Sequence, residues 1–226
     1  MKFKLIIGTI MVSVCGFTDI PFLDTTPKET QDKHWVLGPF VRPDGANPVI
    51  SPQPTEFHCP MQKQPVKWEE SDTFNPAATV KDGKIVVLYR AEDRSAQGIG
   101  KRTSRIGYAE SKDGVTMTRL DAPVLFPADD EFADLDNPGG CEDPRVAMTE
   151  DGLYVMLYTS WPRKKARLSV ATSRDLKNWT KHGLAFGKAY DGRFANLFCK
   201  SASVLTKLKG SKLVIDKVDG KYFMYW

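Results

Sequence analysis

Three segments of the sequence repeat one pattern: DGKIVVLYR at residues 82–90, DGLYVMLYT at 151–159 and DGKYFMYW at 219–226. Each begins with an Asp-Gly pair and continues with β-branched and aromatic residues, a pattern that predicts a hairpin turn leading into a strand. The glycines of the three pairs, at positions 83, 152 and 220, are 69 and 68 residues apart. A fixed period of this length predicts repeated small sheets, as in a β-propeller or a β-solenoid.

A second element follows the first two Asp-Gly segments. Residues 104–126 and 166–186 both run strand, Ser-x-Asp turn, strand and apolar close, and no stretch of the chain shows convincing helical periodicity. The fold class is therefore all-β, with about four strands in each repeat. We expect residues 127–140 and 187–199 to form loops between blades, at the end of the channel where a site would lie. Residues 21–71 are expected to form an N-terminal arm that leads into one strand.

The sequence ends at Trp226, inside the third repeat. Two complete repeats and part of a third would leave an open sheet edge, whereas a propeller closes only when its last blade meets its first. We therefore expect a chain that is incomplete at its C-terminus.

The first residues have the layout of a secretory signal. Lys2 and Lys4 precede an apolar run over residues 5–14, and small residues follow. Such a segment is too short for a permanent membrane span. We assign residues 1–20 to the signal and 21–226 to the propeller domain, which predicts an exported protein, periplasmic or at the cell surface. Cys15 stands where a lipoprotein carries its lipid, so an anchor there is the one membrane contact that we expect.

Composition excludes several functional classes. The formal net charge is +4, from 32 basic and 28 acidic residues, and no long basic run indicates a nucleic-acid partner. The four cysteines show neither CxxC nor Cys/His spacing, so we expect no metal site and no cofactor. The sequence does not decide whether two of Cys59, Cys141 and Cys199 form a disulfide.

Five motifs carry a resemblance to a known family: FNPAA (74–78), LYRAEDRS (88–95), RIGYAESKDG (105–114), GGCEDPRV (139–146) and ARLSVATSRDLKNW (166–179). In this order and wording they resemble glycoside hydrolase family 130, the mannoside phosphorylases and β-mannosidases, over residues 46–226. The resemblance implies a five-bladed β-propeller. This chain would then hold about the first half to two-thirds of it.

The resemblance also implies that Asp143 of EDPR is the general acid that drives departure of the aglycone, in some members through a sugar hydroxyl. Without it, two acids beside a proline would indicate an ordinary surface turn. We expect Pro144 to hold Asp143 in an extended conformation, with its carboxyl group in the channel and Glu142 pointing the other way. We expect Arg145 to pair with a neighbouring acid. A carboxyl group in a partly dry pocket can retain its proton near neutral pH.

Further substrate contacts are expected near Asp143. The resemblance places Asn75 and Arg90 in the sugar pocket, although a turn amide and a surface cation are the simpler interpretations. Trp161 is either a stacking platform for a pyranose face or a core residue. The predicted substrate-binding positions are Asn75, Arg90, Asp93, Arg94, Ser104, Arg145 and Trp161.

The reaction expected from these residues is inverting, exo-acting hydrolysis. It would release mannose from the β-mannosides of a mannose-containing oligosaccharide, β-1,2-linked by analogy. An inverting hydrolase needs a general base about 6.5–9.5 Å from its acid, and the sequence does not identify that base. It can belong to later blades, and a chain without them can be inactive.

The first alternative is a β-mannoside phosphorylase that transfers the mannosyl group to inorganic phosphate. Phosphate requires a cationic cradle, for which Arg193 and Lys200 are the candidates. Family phosphorylases carry Lys-Asp and His-Arg where this chain has Lys200-Ser201 and Trp226, and export also favours water as the acceptor. The second alternative is a carbohydrate-binding propeller without catalysis.

Overall fold

The computed structural model describes residues 39–226. The predicted signal segment, residues 1–20, and the lipid attachment site Cys15 lie outside the described residues, so export and lipidation stay predictions. Residues 39–47 are irregular, with a turn at 44–45, and residues 48–226 belong to a separate compact unit. The account below concerns that second unit.

The unit consists of short strands, as the β-branched and aromatic runs after the Asp-Gly pairs predict. The strands are β1 (Gln53–Cys59), β2 (Gln64–Glu69), β3 (Asp72–Lys81), β4 (Lys84–Glu92), β5 (Ser104–Ser111), β6 (Thr118–Arg119), β7 (Gly140–Met148), β8 (Tyr154–Trp161), β9 (Arg167–Ser173), β10 (Thr180–Leu184), β11 (Ser203–Val204), β12 (Thr206–Lys209), β13 (Lys212–Ile215), β14 (Lys217–Val218), β15 (Lys221–Tyr222) and β16 (Met224–Tyr225). Within the described residues the one α-helix is a single turn, α1 (Ala133–Asp136). The fold is all-β, as predicted.

The first two repeats each form an antiparallel four-stranded meander. Strands β3 to β6 make blade 1 and strands β7 to β10 make blade 2, with neighbours paired in chain order. The first Asp-Gly pair forms the turn of the β3–β4 hairpin, where Lys81 pairs with Lys84. Asp82 and Gly83 have φ angles of 51° and 71°, the left-handed pair that a tight hairpin turn requires. The predicted hairpin is confirmed.

The Ser-x-Asp turns also form in both blades. The Ser111 hydroxyl oxygen accepts the backbone N–H groups of Asp113 and Gly114 at 3.2 and 2.9 Å. The Ser173 hydroxyl accepts those of Asp175 and Leu176 at 3.1 and 2.8 Å. These side chains satisfy backbone donors at the outer turn of each blade.

The two blades meet at the double glycine of GGCEDPRV. Strand β5 pairs with β7 in parallel at Ser104 and Gly140, and the Ser104 N–H donates to the Gly139 carbonyl oxygen at 2.8 Å. Gly140 has a φ angle of 109°, and a Cβ atom there would overlap the Ser104 carbonyl group. Only glycine combines that conformation with so close an approach of two backbones.

The third repeat departs from the first two. Strands β14 and β15 pair around the third Asp-Gly turn, and β11 pairs with β16. The β12–β13 hairpin interrupts its first strand and reaches back to blade 2, where Val214 pairs with Met148 in parallel. The 68-residue interval therefore contains an inserted hairpin that the sequence pattern did not reveal.

Residues 53–69 form a hairpin, β1–β2, where the sequence predicted an arm leading into one strand. Trp68 explains the difference, since it is fully buried and stacks on Tyr89 with ring centroids 6.2 Å apart. Its indole N–H donates to the Asp121 carbonyl oxygen at 2.9 Å. Burial of so large a side chain stabilises the fold by about 1.5–3 kcal/mol, which holds the hairpin against blade 1.

The main core fills blades 1 and 2 and the space between them. Its members include Leu88, Ile106, Tyr108, Met156 and Tyr158. Cys59, Cys141 and Cys199 are buried and free, so no disulfide joins them. Within residues 39–226, no helix is long and apolar enough to span a membrane, and no group of His, Cys, Asp and Glu is arranged to hold a metal ion.

Candidate active site

The first strands of blades 1 and 2 carry matching β-bulges. The register shifts between Phe74 and Ala77 in β3, and between Glu142 and Arg145 in β7. The bulged residue is Asn75 in β3, with φ of 44°, and its equivalent in β7 has φ of 51°. Left-handed backbone at a residue other than glycine occurs in turns, as at Asp82, and also at functional sites, where it costs about 1–3 kcal/mol. The motifs FNPAA and EDPRV are therefore one structural device that redirects a polar side chain.

This geometry corrects two expectations about EDPR. Asp143 is left-handed, not extended as Pro144 was expected to make it. Side chains alternate between faces only where a strand is regular, and the bulge breaks that alternation. As a result Glu142 does not point away from Asp143, and both carboxylates contact the same arginine, Arg90.

Arg90 is the centre of the polar site. Its Nη1 donates to Asp143 Oδ1 at 3.0 Å, and its Nη2 lies 2.9 Å from Glu142 Oε1 and 2.5 Å from Glu92 Oε1. Its Nε donates to the Ser104 hydroxyl oxygen at 3.0 Å. The guanidinium group is buried, so one cation neutralises part of three buried carboxylates.

Two further side chains complete the surroundings of Asp143. The Asn75 amide donates to Asp143 Oδ1 at 2.9 Å. Lys200 Nζ lies 2.7 Å from Glu142 Oε2 and 3.6 Å from Asp143 Oδ2. We call this group the Arg90 cluster: Asn75, Arg90, Glu92, Ser104, Glu142, Asp143 and Lys200.

The cluster shifts the pKa values of the two adjacent acids, Glu142 and Asp143, in opposite directions. Burial alone would raise the pKa of Asp143, but the Asn75 amide, Arg90 and Lys200 outweigh it and hold that pKa below its usual value. For Glu142 burial prevails over Arg90 and Lys200, with Asp143 adding to it, and the pKa is raised. Arg90 is held charged by Glu142, Asp143 and Glu92 against the effect of its burial, so its pKa is raised. Asp143 is therefore ionised near neutral pH in this arrangement, contrary to the expectation of a retained proton.

Two predicted contacts lie outside the cluster. Asp93 is bound to Arg105, whose Nη1 donates to Asp93 Oδ2 at 2.8 Å, and it accepts the Ser95 N–H at 3.0 Å. Arg105 outweighs the burial of Asp93 and lowers its pKa. Arg94 is exposed in the loop after β4. Through its bonds to Arg105 and Ser95, Asp93 therefore stabilises this loop.

Arg145, Trp161 and Arg193 also have local partners. Arg145 Nη1 donates to the Pro144 carbonyl oxygen at 2.9 Å, and no acid among the described residues pairs with it, so the expected ion pair is wrong. The Trp161 indole N–H donates to the Gly100 carbonyl oxygen at 2.7 Å. Arg193 is exposed, with its guanidinium carbon 5.5 Å from the Phe194 ring centroid.

Sequence reasoning missed Glu92 and misplaced Glu142. Glu92 is fully buried, and its carboxylate also accepts the Ser104 hydroxyl at 3.1 Å. A signal was present, because Arg90 and Glu92 are two positions apart in a strand and so share a face. Glu142 gave no such signal, since its direction depends on the bulge.

A second buried ionic group lies on the other side of the start of β7. Lys181 Nζ is 2.8 Å from Asp136 Oδ2, and the Ser160 hydroxyl donates to Asp136 Oδ1 at 2.7 Å. The Ser169 hydroxyl oxygen lies 2.6 Å from that of Ser160, and the Cys141 thiol also bonds to Asp136. We call these five residues the Asp136 cluster. Burial raises the pKa of Asp136 although Lys181, Ser160 and Cys141 act against it.

Comparison with known proteins gives a match over most of the chain. A family model described as beta-1,4-mannooligosaccharide phosphorylase matches residues 42–226. The chain is 32% identical over 168 residues to the 1,2-beta-oligomannan phosphorylase of Thermoanaerobacter sp. (strain X514), covering 73% of this chain and 49% of that protein.

Solved structures of similar proteins also match most of this chain. A crystal structure of a Bacteroides ovatus protein is 81% identical, with a TM-score of 0.80, and the match covers 85% of this chain and 55% of that one. Another structure, 63% identical with a TM-score of 0.83, covers 85% and 54% and comes from work on glycoside hydrolases that target beta-1,2 mannosidic linkages in Candida mannan. The chain thus spans about half the length of these proteins. Such structures are five-bladed β-propellers, which confirms the predicted fold class.

Proposed function

Because the chain belongs to glycoside hydrolase family 130, we propose that it cleaves β-mannosidic linkages and that Asp143 supplies the proton to the departing oxygen. The observation that carries the proposal is the placement of Asp143. A strained bulge holds its carboxylate between the Asn75 amide and Arg90, beside a half-exposed Lys200. Its side chain is 8% exposed, so a bound sugar would remove it from water.

Proton transfer requires that Asp143 gain a proton when substrate binds. In the structure Asn75, Arg90 and Lys200 stabilise its ionised form. A sugar hydroxyl that takes the Asn75 amide, or draws Lys200 away, would remove part of that stabilisation, and the pKa of Asp143 would rise. Glu142 is the neighbouring acid, and burial raises its pKa although Arg90 and Lys200 act against it. An acid that protonates the leaving oxygen typically contributes 10²–10⁴-fold to the rate.

The proposed substrate is a mannose-containing oligosaccharide with β-1,2 linkages. The relative from Thermoanaerobacter is named for 1,2-beta-oligomannan, and the structure at 63% identity comes from work on beta-1,2 mannosidic linkages. Both names support the same linkage for this chain.

Phosphate is the acceptor that the curated relative supports, because that protein is a phosphorylase. Among the described residues, Lys200 is the candidate cation for phosphate, since its side chain is 38% exposed and its Nζ lies 3.6 Å from Asp143 Oδ2. Arg193 has no contact with the Arg90 cluster that would give it the same position.

Water is the acceptor that the local charge supports. In the described part of the chain, Glu92, Glu142 and Asp143 outnumber Arg90 and Lys200 within the cluster. Arg102 also lies 3.4 Å from Glu92, but it is shared with Asp72, so an excess of one acid remains. An excess of negative charge opposes a phosphate that carries nearly two negative charges itself. The structure at 63% identity, from work on glycoside hydrolases, supports the same candidate.

The test is product analysis with β-1,2-mannobiose, with and without phosphate. Free mannose without phosphate identifies hydrolysis, and mannose 1-phosphate formed only with phosphate identifies phosphorolysis. Binding without either product would leave a carbohydrate-binding propeller and contradict the proposal.

Asp143→Asn tests the role of the acid. We expect kcat/KM on mannobiose to fall about 10³-fold, and less with a nitrophenyl mannoside, whose leaving group needs little protonation. Asp151→Asn, an exposed acid beside Arg174, is the matched control and should keep full activity. Near-normal activity of Asp143→Asn on mannobiose would exclude Asp143 as the acid.

A further inference from the structure

The three repeats share one strand register near the cluster. In each repeat, two neighbouring residues of the first strand pair with two of the second. The pairs are Ala77–Leu88 with Ala78–Val87, Arg145–Leu157 with Val146–Met156, and Ser203–Tyr225 with Val204–Met224. The bulged residues Asn75 and Asp143 stand two positions before the first pair. The same position in the third repeat is Ser201.

Ser201 has the same backbone conformation as the other two. Its φ angle is 51°, against 44° for Asn75 and 51° for Asp143. Serine has no special tolerance for left-handed backbone, which costs a residue of this kind about 1–3 kcal/mol. The same left-handed conformation in three equivalent places indicates one local geometry used three times. The third motif, CKSAS, has no proline after Ser201, and its strand pairing begins only at Ser203.

The segment before Ser201 also bonds to the preceding blade, although through a different position and in the opposite direction from the bond before Asp143. Before the bulge in β7, the backbone bonds to blade 1 through Ser104 N–H and Gly139 O at 2.8 Å. Before Ser201, the Cys199 N–H donates to the Ala166 carbonyl oxygen of blade 2 at 3.1 Å. Lys200, directly before Ser201, then reaches Glu142 at 2.7 Å. Ser201 therefore lies beside the Arg90 cluster.

We propose that Ser201 is a specificity-determining residue whose hydroxyl group contacts a hydroxyl of the mannoside. Asn75 and Asp143 are tied to each other, whereas Ser201 is exposed. A neutral hydroxyl that both donates and accepts suits a neutral sugar hydroxyl. This inference rests on the proposed function, because it names a residue that recognises the proposed substrate.

Two substitutions separate recognition from structure. Ser201→Ala and Ser201→Gly both remove the hydroxyl, but glycine adopts positive φ without strain. We expect both variants to raise the KM for β-1,2-mannobiose, and its Kd by calorimetry, about fivefold to tenfold, the value of one hydrogen bond. We expect Ser201→Gly to unfold at the same temperature as the unchanged protein or higher. Ser203→Ala, which removes an exposed hydroxyl two residues along, is the matched control.

The outcomes are distinct. Weaker mannobiose binding in both Ser201 variants, with normal stability in Ser201→Gly, supports the inference. If the unchanged protein cleaves mannobiose and both variants match Ser203→Ala, the role of Ser201 is refuted while the proposed function stands. If the unchanged protein neither binds nor cleaves mannobiose, the proposed function fails and the inference fails with it.

Discussion

The Arg90 cluster and the Asp136 cluster both contain buried charges, and they meet on strand β7. Of three consecutive residues there, the first belongs to the Asp136 cluster and the next two belong to the Arg90 cluster. Cys141 bonds to Asp136, whereas Glu142 and Asp143 bond to Arg90. The clusters differ in charge balance. In the Asp136 cluster, Lys181 is the cation that pairs with Asp136. Lys181 also contacts Asp130, whose side chain is 35% exposed.

In the Arg90 cluster, three carboxylates share Arg90 and Lys200, and Arg102, which lies 3.4 Å from Glu92, is itself paired with Asp72. A balanced buried pair keeps both charges and serves the fold, because a loss of either partner leaves an unpaired charge. An unbalanced group leaves one carboxylate whose protonation responds to whatever binds next to it. Burial of charge is common to both clusters, so it does not separate them, whereas the surplus charge at a bulge is what makes the Arg90 cluster the candidate site.

Breaking the balanced pair should have the largest effect on stability. Asp136→Asn keeps the shape of the side chain but leaves Lys181 buried without its main partner, so we expect the free energy of unfolding to fall by about 3–5 kcal/mol. Lys181→Met should act in the same way. Urea denaturation of the single and double variants measures both effects, and the double variant should recover part of the loss because no unpaired charge remains.

Activity measurements on the Asp136→Asn variant test the same difference between the two clusters. Folded Asp136→Asn protein should cleave β-1,2-mannobiose within about threefold of the unchanged rate, since Asp136 contacts no member of the Arg90 cluster. A stable Asp136→Asn variant without activity would show that the Asp136 cluster also contributes to the reaction, which contradicts a purely structural role.

The unbalanced cluster should respond to pH instead. The reaction needs Asp143 protonated, so activity is lost as the pH rises through its pKa, which Asn75, Arg90 and Lys200 hold down against burial. Asn75→Ala removes one stabiliser of the carboxylate, so that pKa rises and the alkaline limb of the kcat/KM profile moves to higher pH. Arg90, Glu142 and Lys200 still face Asp143, so we expect a partial shift.

A matched control exists for this change. The Asn178 amide donates to Asp175 at 2.7 Å in the exposed outer turn of blade 2, so Asn178→Ala makes the same chemical change far from the cluster. Its alkaline limb should coincide with that of the unchanged protein. An unmoved limb in Asn75→Ala, with activity still measurable, would count against Asp143 as the titrating acid.

The smallest effect is expected at that outer turn, which belongs to neither cluster. Asp175 accepts the backbone N–H groups of Lys177 and Asn178 at 2.9 and 2.7 Å. Burial acts the other way, but these bonds hold its pKa below the usual value. Asp175→Ala should lower the free energy of unfolding by about 1 kcal/mol and leave activity unchanged.

The pH dependence of this last effect has a definite sign. Because the folded pKa of Asp175 is lowered, its contribution is present above the unfolded pKa and is lost as the pH falls through the folded one. Unfolding measured at several pH values should therefore show the variant and the unchanged protein converging in acid. A difference that persists in acid would assign the loss to packing.

Much of the fold was predictable because its signals are local. An Asp-Gly pair before a β-branched run requires a hairpin wherever it stands, and Lys81 and Lys84 pair as that predicts. The Ser-x-Asp turns close on Ser111 and Ser173 for the same reason. The β12–β13 hairpin was missed because its turn, Gly210-Ser211, lacks the Asp-Gly pair that marks the hairpins of the repeats.

The site was predictable in its members and not in its geometry. The family resemblance brought out Asn75, Arg90 and Asp143, which do meet. The same resemblance gave no reason to separate them from Asp93 and Trp161, which are bound to other partners. Those distinctions depend on loops that bring together residues far apart in the chain.

The sequence by itself determined the repeat, the hairpins and the polar residues near the strand ends, because each follows from neighbours a few positions apart. Only the tertiary structure decided that Glu142 joins Asp143 on Arg90 and that Lys200 reaches both acids. The physical reason is the bulge. One left-handed residue reverses the alternation of a strand, and the packing of two blades, not the local sequence, holds that residue in place.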